Sequence, residues 1–367
     1  MRAVLHFIVG LAALGLALCA DPSRALADAP SEIRIAIPGV GVGNRPVTGG
    51  SAIATVHLRG LLEDEFKPDG IKITWNFLRG AGPAVNELYA NGLTDFSSLG
   101  DLPTIVGFAS GLKYRALLTG SVRGNCYVAV PADSNIQTLA ELRGKRVSVQ
   151  KGTATHLMAN KILESVGLTE RDVRLINMDS PTARLAVVTG DIDASFGGAD
   201  YLGLRDQGAA RIIFSTRGGD AKLTSNGLFL GAESFIRKYP EHTKRVVKTI
   251  VLAAKWLADQ ENAPQPVYQL WTRSGTTFSS YKEDWTGESL KYKLSPLLDQ
   301  YVFARYNAQI QTSQRLGLTR KTFDFAEIAE PSFLAAVLKE QGLEGFWSTR
   351  DPDTGKPVNG TAVTAAR

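Results

Sequence analysis

The chain has 367 residues, 44% of them hydrophobic and 21% charged, with a formal net charge of +5. This length allows two or three domains' worth of core, and the composition excludes disordered, collagenous and disulfide-scaffold proteins. After the N-terminal segment no apolar stretch approaches the length of a spanning helix, and so modest a charge permits an anionic ligand without arguing for nucleic acid.

The N-terminus reads as an export signal. Arg2 gives a positive start, Val4 to Cys19 an apolar core, and Ala25-Leu26-Ala27 a small-x-small site before Asp28. Residues 1–27 are expected to be cleaved after Ala27, leaving a periplasmic protein. Leu18 is too large for a lipid-attachment site at Cys19. Cys126 is then the remaining thiol, so the mature chain has no intrachain disulfide and depends on its core.

From Ile33 onward short β-rich runs alternate with helical patterns. Ile33 to Ile37 reads as a strand, followed by a Gly-rich loop to Ser51 and a helical segment from Ala52 to Glu65. Ile71 to Trp75 is the next strand, then the turn Arg79 to Pro83 and a helix over Val85 to Asn91. A strand over Asp95 to Leu99 leads through Gly100-Asp101-Leu102-Pro103 into another helix, and Tyr114 to Leu118 is a further strand. The rhythm then restarts. Strands are predicted over Tyr127 to Val130, Arg146 to Val149, Val173 to Asn177 and Ile192 to Ser195, with helices from Leu139, over Gly152 to Val166 and over Pro181 to Thr189. After Ser225 the pattern is mostly helical, with a long helix over Ser234 to Asp259. The tail, 346–367, is rich in Gly, Pro, Thr and Ala and is expected to be disordered. Strand–turn–helix alternation of this kind predicts an α/β fold with largely parallel pairing.

The chemistry-bearing residues cluster at the strand-to-helix turns. Gly39 to Ser51, Arg79 to Pro83, Gly100 to Pro103, Gly152 to Thr155 and Gly197 to Tyr201 are all small and Gly-rich, several with hydroxyls. Ligands of open parallel sheets bind at such turns, where helix N-termini offer free N–H groups and a favourable dipole to anions. Any single turn is better explained by helix capping, but five in one chain are less easily dismissed and point to an anion site. The Gly152 to Thr155 turn is expected to hold the oxyanion on backbone N–H groups and the hydroxyls of Thr153 and Thr155. Enzymatic motifs are thin. Gly39-Val40-Gly41-Val42-Gly43 lacks dinucleotide spacing, and neither a phosphate-loop lysine motif nor a Gly-x-Ser-x-Gly elbow occurs. The histidines sit in no metal-ligand frame, so no metal and no cofactor is expected.

Three groups of residues carry a family resemblance. The first is Ala81-Gly82-Pro83, Asn86-Glu87-Leu88 and Gly100-Asp101-Leu102-Pro103. The second is Lys151-Gly152-Thr153-Ala154-Thr155-His156, with Gly190-Asp191-Ile192-Asp193-Ala194 downstream. The third is Tyr239-Pro240-Glu241 with Ala254-Lys255-Trp256-Leu257. In order and spacing the chain resembles the periplasmic solute-binding proteins of ABC importers for sulfonates, taurine and nitrate. It looks closest to the aliphatic-sulfonate and sulfate-ester branch. The resemblance implies a two-lobed (type II) periplasmic-binding-protein fold with mixed-sheet lobes, closing on a small anion. Lobe one would be 31–120 with 225–345, and lobe two 121–224, with crossings near Thr119 to Asn125 and Ala221 to Asn226. It implies a non-enzymatic monomer that passes its ligand to a permease and ATPase in the inner membrane.

Carried over position by position, Ala81, Gly82, Gly100, Asp101, Gly152, Thr153, Ala154, Thr155 and Asn226 would line the cleft. Where the family often has Trp-Asp-Pro-Tyr, this chain has Gly197-Gly198-Ala199-Asp200-Tyr201, which makes Asp200 and Tyr201 candidates in a more open wall. The first loop is longer than usual, and its Asn44 and Arg45, together with Arg79, are candidates for direct contact with the head group. Trp75, Phe77, Tyr201, Phe229 and Trp271 are candidate walls for an organic tail and equally ordinary core residues. Two alternatives stay open: nitrate, taurine or another small solute as ligand, and an enzyme like the thiamine-pyrimidine synthesis proteins. The enzyme would use pyridoxal phosphate on Lys151 with His57 or His156.

Overall fold

The computed structural model describes residues 29–358, so the predicted export signal lies outside the described residues. The chain builds two five-stranded sheets. The first begins with β1 (Glu32–Pro38), β2 (Lys72–Leu78), β3 (Phe96–Gly100) and β4 (Tyr114–Gly124). The chain then crosses at Asn125-Cys126 to the second sheet, made of β5 (Tyr127–Pro131), β6 (Arg146–Val149), β7 (Arg174–Asn177), β8 (Ala194–Gly197) and β9 (Ala210–Ser215). It returns as β10 (Ser225–Ala232), which inserts between β3 and β4. The strand orders are β2-β1-β3-β10-β4 and β7-β6-β8-β5-β9.

Each sheet has a parallel centre and an antiparallel flank. β1 pairs in parallel with β2 and β3, and β6 with β7 and β8. β10 runs antiparallel to β3 and β4, and β5 antiparallel to β8 and β9. The parallel strands were legible because each is followed by its own helix. β9 and β10 were not expected. β9 is followed by no α-helix, and β10, although the helix Glu233–Lys238 follows it, runs backwards because the chain re-enters the first lobe at the carboxyl ends of its strands. The result is a two-lobed α/β protein in which the carboxyl ends of the two parallel cores face each other.

Two predicted helices are each broken once, for local reasons. The first stops at Gly60, at φ +66°, so Ala52–Arg59 and Leu61–Phe66 are separate helices. The second is interrupted at Tyr239, because Pro240 keeps the preceding residue out of the helical region. The resulting helix Pro240–Asp259 buries Val246, Val247, Ile250, Val251, Ala254 and Leu257 against the first sheet's outer layer. Among the described residues no helix is long and apolar enough to cross a membrane.

The expected disorder of the tail is corrected for 346–358. Trp347 is buried, and Arg350 lies beneath the surface against Asp299, with both side chains at most 1% exposed. The guanidinium donates from Nε to Oδ2 at 2.7 Å and from Nη2 to Oδ1 at 3.1 Å, while Asp299 also caps the helix Gln300–Arg315 through the N–H of Val302. This salt bridge staples the tail to lobe one. Removing one partner of such a pair leaves an uncompensated buried charge, so Arg350→Met is expected to cost about 3–5 kcal/mol in urea unfolding. The double variant Arg350→Met/Asp299→Asn should lose less than the single one. A single-variant loss under about 1 kcal/mol would refute the stapling role.

Candidate functional site

A cleft of about 490 Å³ lies between the lobes, at the carboxyl ends of both parallel cores. Its walls are the turns that the sequence singled out. The loop after β1 enters through Val40, Gly41, Thr48 and Gly49, the turn after β2 through Arg79, Ala81 and Gly82, and the turn after β3 through Gly100. From the second lobe come Thr153, Ala154 and Thr155, and Gly197 to Asp200.

Two helix starts leave their first N–H groups without a partner among the described residues. In the helix Ala154–Glu164 the N–H groups of Thr153, Ala154 and Thr155 have no partner among the described residues, and the Thr155 hydroxyl is likewise unengaged. In the helix Ala81–Ala90 the preceding Gly80 makes no side-chain cap, and the N–H groups of Ala81 and Gly82 have no partner among the described residues. Ala81 takes φ +51°, a conformation that a non-glycine residue rarely adopts, after Gly80 in the right-handed region. Alternation of that kind turns successive N–H groups toward one point and makes a concave anion site. The two helix starts touch. A Cβ on Gly152 would meet Pro83 at 2.9 Å, and one on Gly100 would meet the Cβ of Ala154 at 2.8 Å.

The Thr153 hydroxyl is not a free donor. It donates to the Gln150 carbonyl at 2.7 Å and accepts from the His156 N–H, which makes it the helix cap. Gly152 is not in the cleft wall, and its N–H is taken by His156 Nδ1 at 3.2 Å. The other ring nitrogen of His156, Nε2, faces Glu170. His156 is therefore a buried, neutral brace behind the Gly152 to Thr155 turn, and burial holds its pKa below the ordinary 6.5, against the pull of Glu170.

Several expected contacts fall elsewhere. Asn44 and Arg45 sit on the exposed outer face of the first loop, where Arg45 reaches the Arg273 carbonyl. Asp101 is wholly buried and holds lobe one together, accepting from Leu102 N–H, Asn226 N–H and Gln309 Nε2. Burial pushes its carboxyl above the usual range. Asn226 is buried in the same cluster, its Oδ1 accepting from the Arg123 N–H. Tyr201 turns inward beneath Gly197 and donates to Ser195 Oγ at 2.6 Å. Arg79 does line the cleft, but it spans the lobes to Asp179 at 2.8 Å. Asp200 lines it paired to Arg184.

Residues that sequence reasoning missed include Arg184, Ser121, Asn125, Tyr281, Asp284, Trp285 and Lys293. Arg184 lies in the second-lobe helix Ser180–Thr189 and the others on the crossing strand or in the late helical region, with no Gly-rich turn to mark them. The aromatic walls are Phe196, Tyr281 and Trp285, whereas Tyr201, Phe229 and Trp271 are buried and Trp75 and Phe77 flank His57 outside the cleft. Lys151 is exposed and not in the wall, and neither His57 nor His156 brings a free ring nitrogen into it. Cys126 is buried outside the cleft, its thiol pushed up to about 12 by desolvation.

Comparison with known proteins follows the same line. The family model described as NMT1/THI5 like matches residues 66–263, more than half of the chain. This chain belongs to that family. A relative in Bacillus subtilis (strain 168), named as an aliphatic sulfonates-binding protein, is 30% identical over 213 residues. That match covers 57% of this chain and 63% of the relative, just under two thirds of the relative's length. A solved structure named as the periplasmic sulfonate-binding protein SsuA of a sulfonate ABC transporter, from Methylobacillus flagellatus KT, is 28% identical with a TM-score of 0.72. It covers 88% of this chain and 98% of its own. The desulfurization enzyme DSZB shares the fold at 19% identity and a TM-score of 0.61, covering 84% of this chain and 99% of its own, a likeness of fold alone.

The His156 brace predicts a pH dependence. Its neutral form is the one that accepts from Gly152, and its folded pKa lies below the unfolded 6.5. The stability it contributes is therefore complete above pH 6.5 and is lost as pH falls through the folded value. Against His156→Gln, wild type should lose extra unfolding free energy below pH 6.5, by at most about 1.4 kcal/mol per pH unit. Parallel curves for the two proteins from neutral pH to pH 5 would refute the brace.

Proposed function

We propose that this family member is the periplasmic substrate-binding component of an ABC importer. It captures an organosulfur oxyanion, an alkyl or aryl sulfonate or a sulfate ester, and delivers it to the membrane permease and ATPase without altering it. The observation that carries the reading is the pair of touching, unpaired helix starts at Ala81 and Ala154, one from each lobe. A tetrahedral oxyanion has three outward oxygens to accept from such a divided set of donors, and each donor costs no reorganisation. The names of the relatives support a sulfur-oxyanion head group over nitrate, and the placement of Lys151, His57 and His156 outside the cleft wall supports binding over the pyridoxal-phosphate chemistry that would use them. The protein acts as a monomer, with lobes 31–120 plus 225–345 and 121–224 closing about the two crossings.

Calorimetry with alkyl and aryl sulfonates, sulfate esters and nitrate tests the reading; no heat with any sulfonate or sulfate ester would overturn it. Two substitutions separate ligand binding from capping. Thr155→Asp places a carboxylate in the first helical turn, where it is welcome to the fold, yet opposite the anion. It should weaken sulfonate binding at least about tenfold while leaving the melting temperature unchanged or higher. Thr153→Ala removes the cap and should cost about 1 kcal/mol of stability, with a smaller effect on affinity than Thr155→Asp. Reversal of that ranking would mean that the Thr153 side chain, not the helix start, holds the ligand.

A further inference from the structure

All but one of the charged groups that line the cleft are met by a partner. Arg79 pairs with Asp179 and Arg184 with Asp200, while Asp284 accepts from Tyr127 Oη at 2.7 Å and Asn125 Nδ2 at 2.9 Å. Lys293 lines the same cleft, is only 5% exposed, and has no acceptor for its Nζ among the described residues. Its close neighbour is the face of Trp285, another wall residue, whose ring centroid lies 4.7 Å from Nζ. Asp284 and Glu288 add favourable potential at longer range, but Asp284 is engaged by Tyr127 and Asn125 and Glu288 faces Arg123. An ammonium with three donors and no acceptor is expensive to bury, and a tryptophan face compensates only part of that cost.

The position of Lys293 shows what would complete it. The free N–H groups belong to the turns at Ala81 and Ala154, whereas Lys293 ends the short helix Leu290–Lys293, beside the wall made by Tyr281, Asp284 and Trp285. A cleft of about 490 Å³ is in the range that takes whole organic ligands rather than a bare head group. One molecule can thus meet the helix starts with one end and the lysine with the other.

We propose that Lys293 is a ligand-binding residue and that the physiological ligand is bifunctional, carrying a carboxylate at the end opposite its sulfonate. The inference rests on the sulfonate reading and adds a substrate class to it. The carboxylate supplies the acceptor that the protein withholds from Lys293, and a plain alkanesulfonate leaves that ammonium unsatisfied.

Calorimetry on the full mature chain tests this with ω-carboxyalkanesulfonates of graded chain length, each beside the alkanesulfonate of equal length. In wild type the best carboxylated member should bind at least tenfold more tightly than its plain counterpart, as expected for one charge-assisted hydrogen bond. In Lys293→Met that preference should collapse toward unity, whatever happens to the absolute affinities. Lys293→Gln provides the same ratio if the methionine variant does not fold, and the wild-type comparison needs no variant at all. Equal wild-type affinity for every pair, or a preference that survives both substitutions, would overturn the role of Lys293 while leaving the sulfonate reading in place. No binding of either series would remove the sulfonate reading, and this inference with it.

Discussion

A backbone N–H that is withdrawn from water and given no acceptor is costly, and this constraint organises the cleft. The helices starting at Ala81 and Ala154 each leave N–H groups without a partner among the described residues, and they do so where the lobes meet. Several other helices carry a side-chain cap of the usual kind. Ser51, Asp179, Thr277 and Asp299 each accept from the first turn of the helix they precede. In the proposed function a bound oxyanion supplies the acceptors for these N–H groups.

The supporting structure holds those donors in place. Gly152 and Gly100 keep the facing turns free of Cβ atoms, so Pro83 and Ala154 pack directly across the lobe boundary. Behind the second helix start, Thr153 ties the turn to Gln150, and His156 ties Gly152 to Glu170. Side chains that looked like ligand contacts are thereby spent on keeping the turn rigid. The lobes are also joined by bidentate pairs at their rims, Arg315 with Glu164 and Arg205 with Glu283. Such exposed pairs add little stability each, but they fix orientation through their paired geometry.

Charge in the cleft is balanced more closely than the basic composition suggests. Arg79 and Arg184 are each met by a carboxylate, so neither presents a bare positive charge to a ligand. In the proposed function, attraction for an anion then comes from backbone dipoles at the helix starts, which select by shape and direction as well as by sign, and from the unpartnered Lys293. Arg45, exposed on the outer loop, takes no part in the cleft wall.

The sequence by itself determined the parallel strands, their helices and the turns between them, because apolar periodicity and glycine placement are local signals. It thereby marked Ala81, Gly82, Gly100, Thr153, Ala154 and Thr155, all of which line the cleft. It did not reveal β9 and β10, whose place in the sheets depends on a chain reversal between lobes. Nor did it separate Thr155, with its hydroxyl free, from Thr153, whose hydroxyl is consumed as a cap. Asp101, Tyr201 and Asn226 occupy marked turns or crossings, yet tertiary packing turned them into the core, where they find hydrogen-bond partners. Lys293 and Trp285 carry no local signal at all. They reach the cleft because the late helices fold back over the first sheet, and only that folding decides which charge is left without an acceptor.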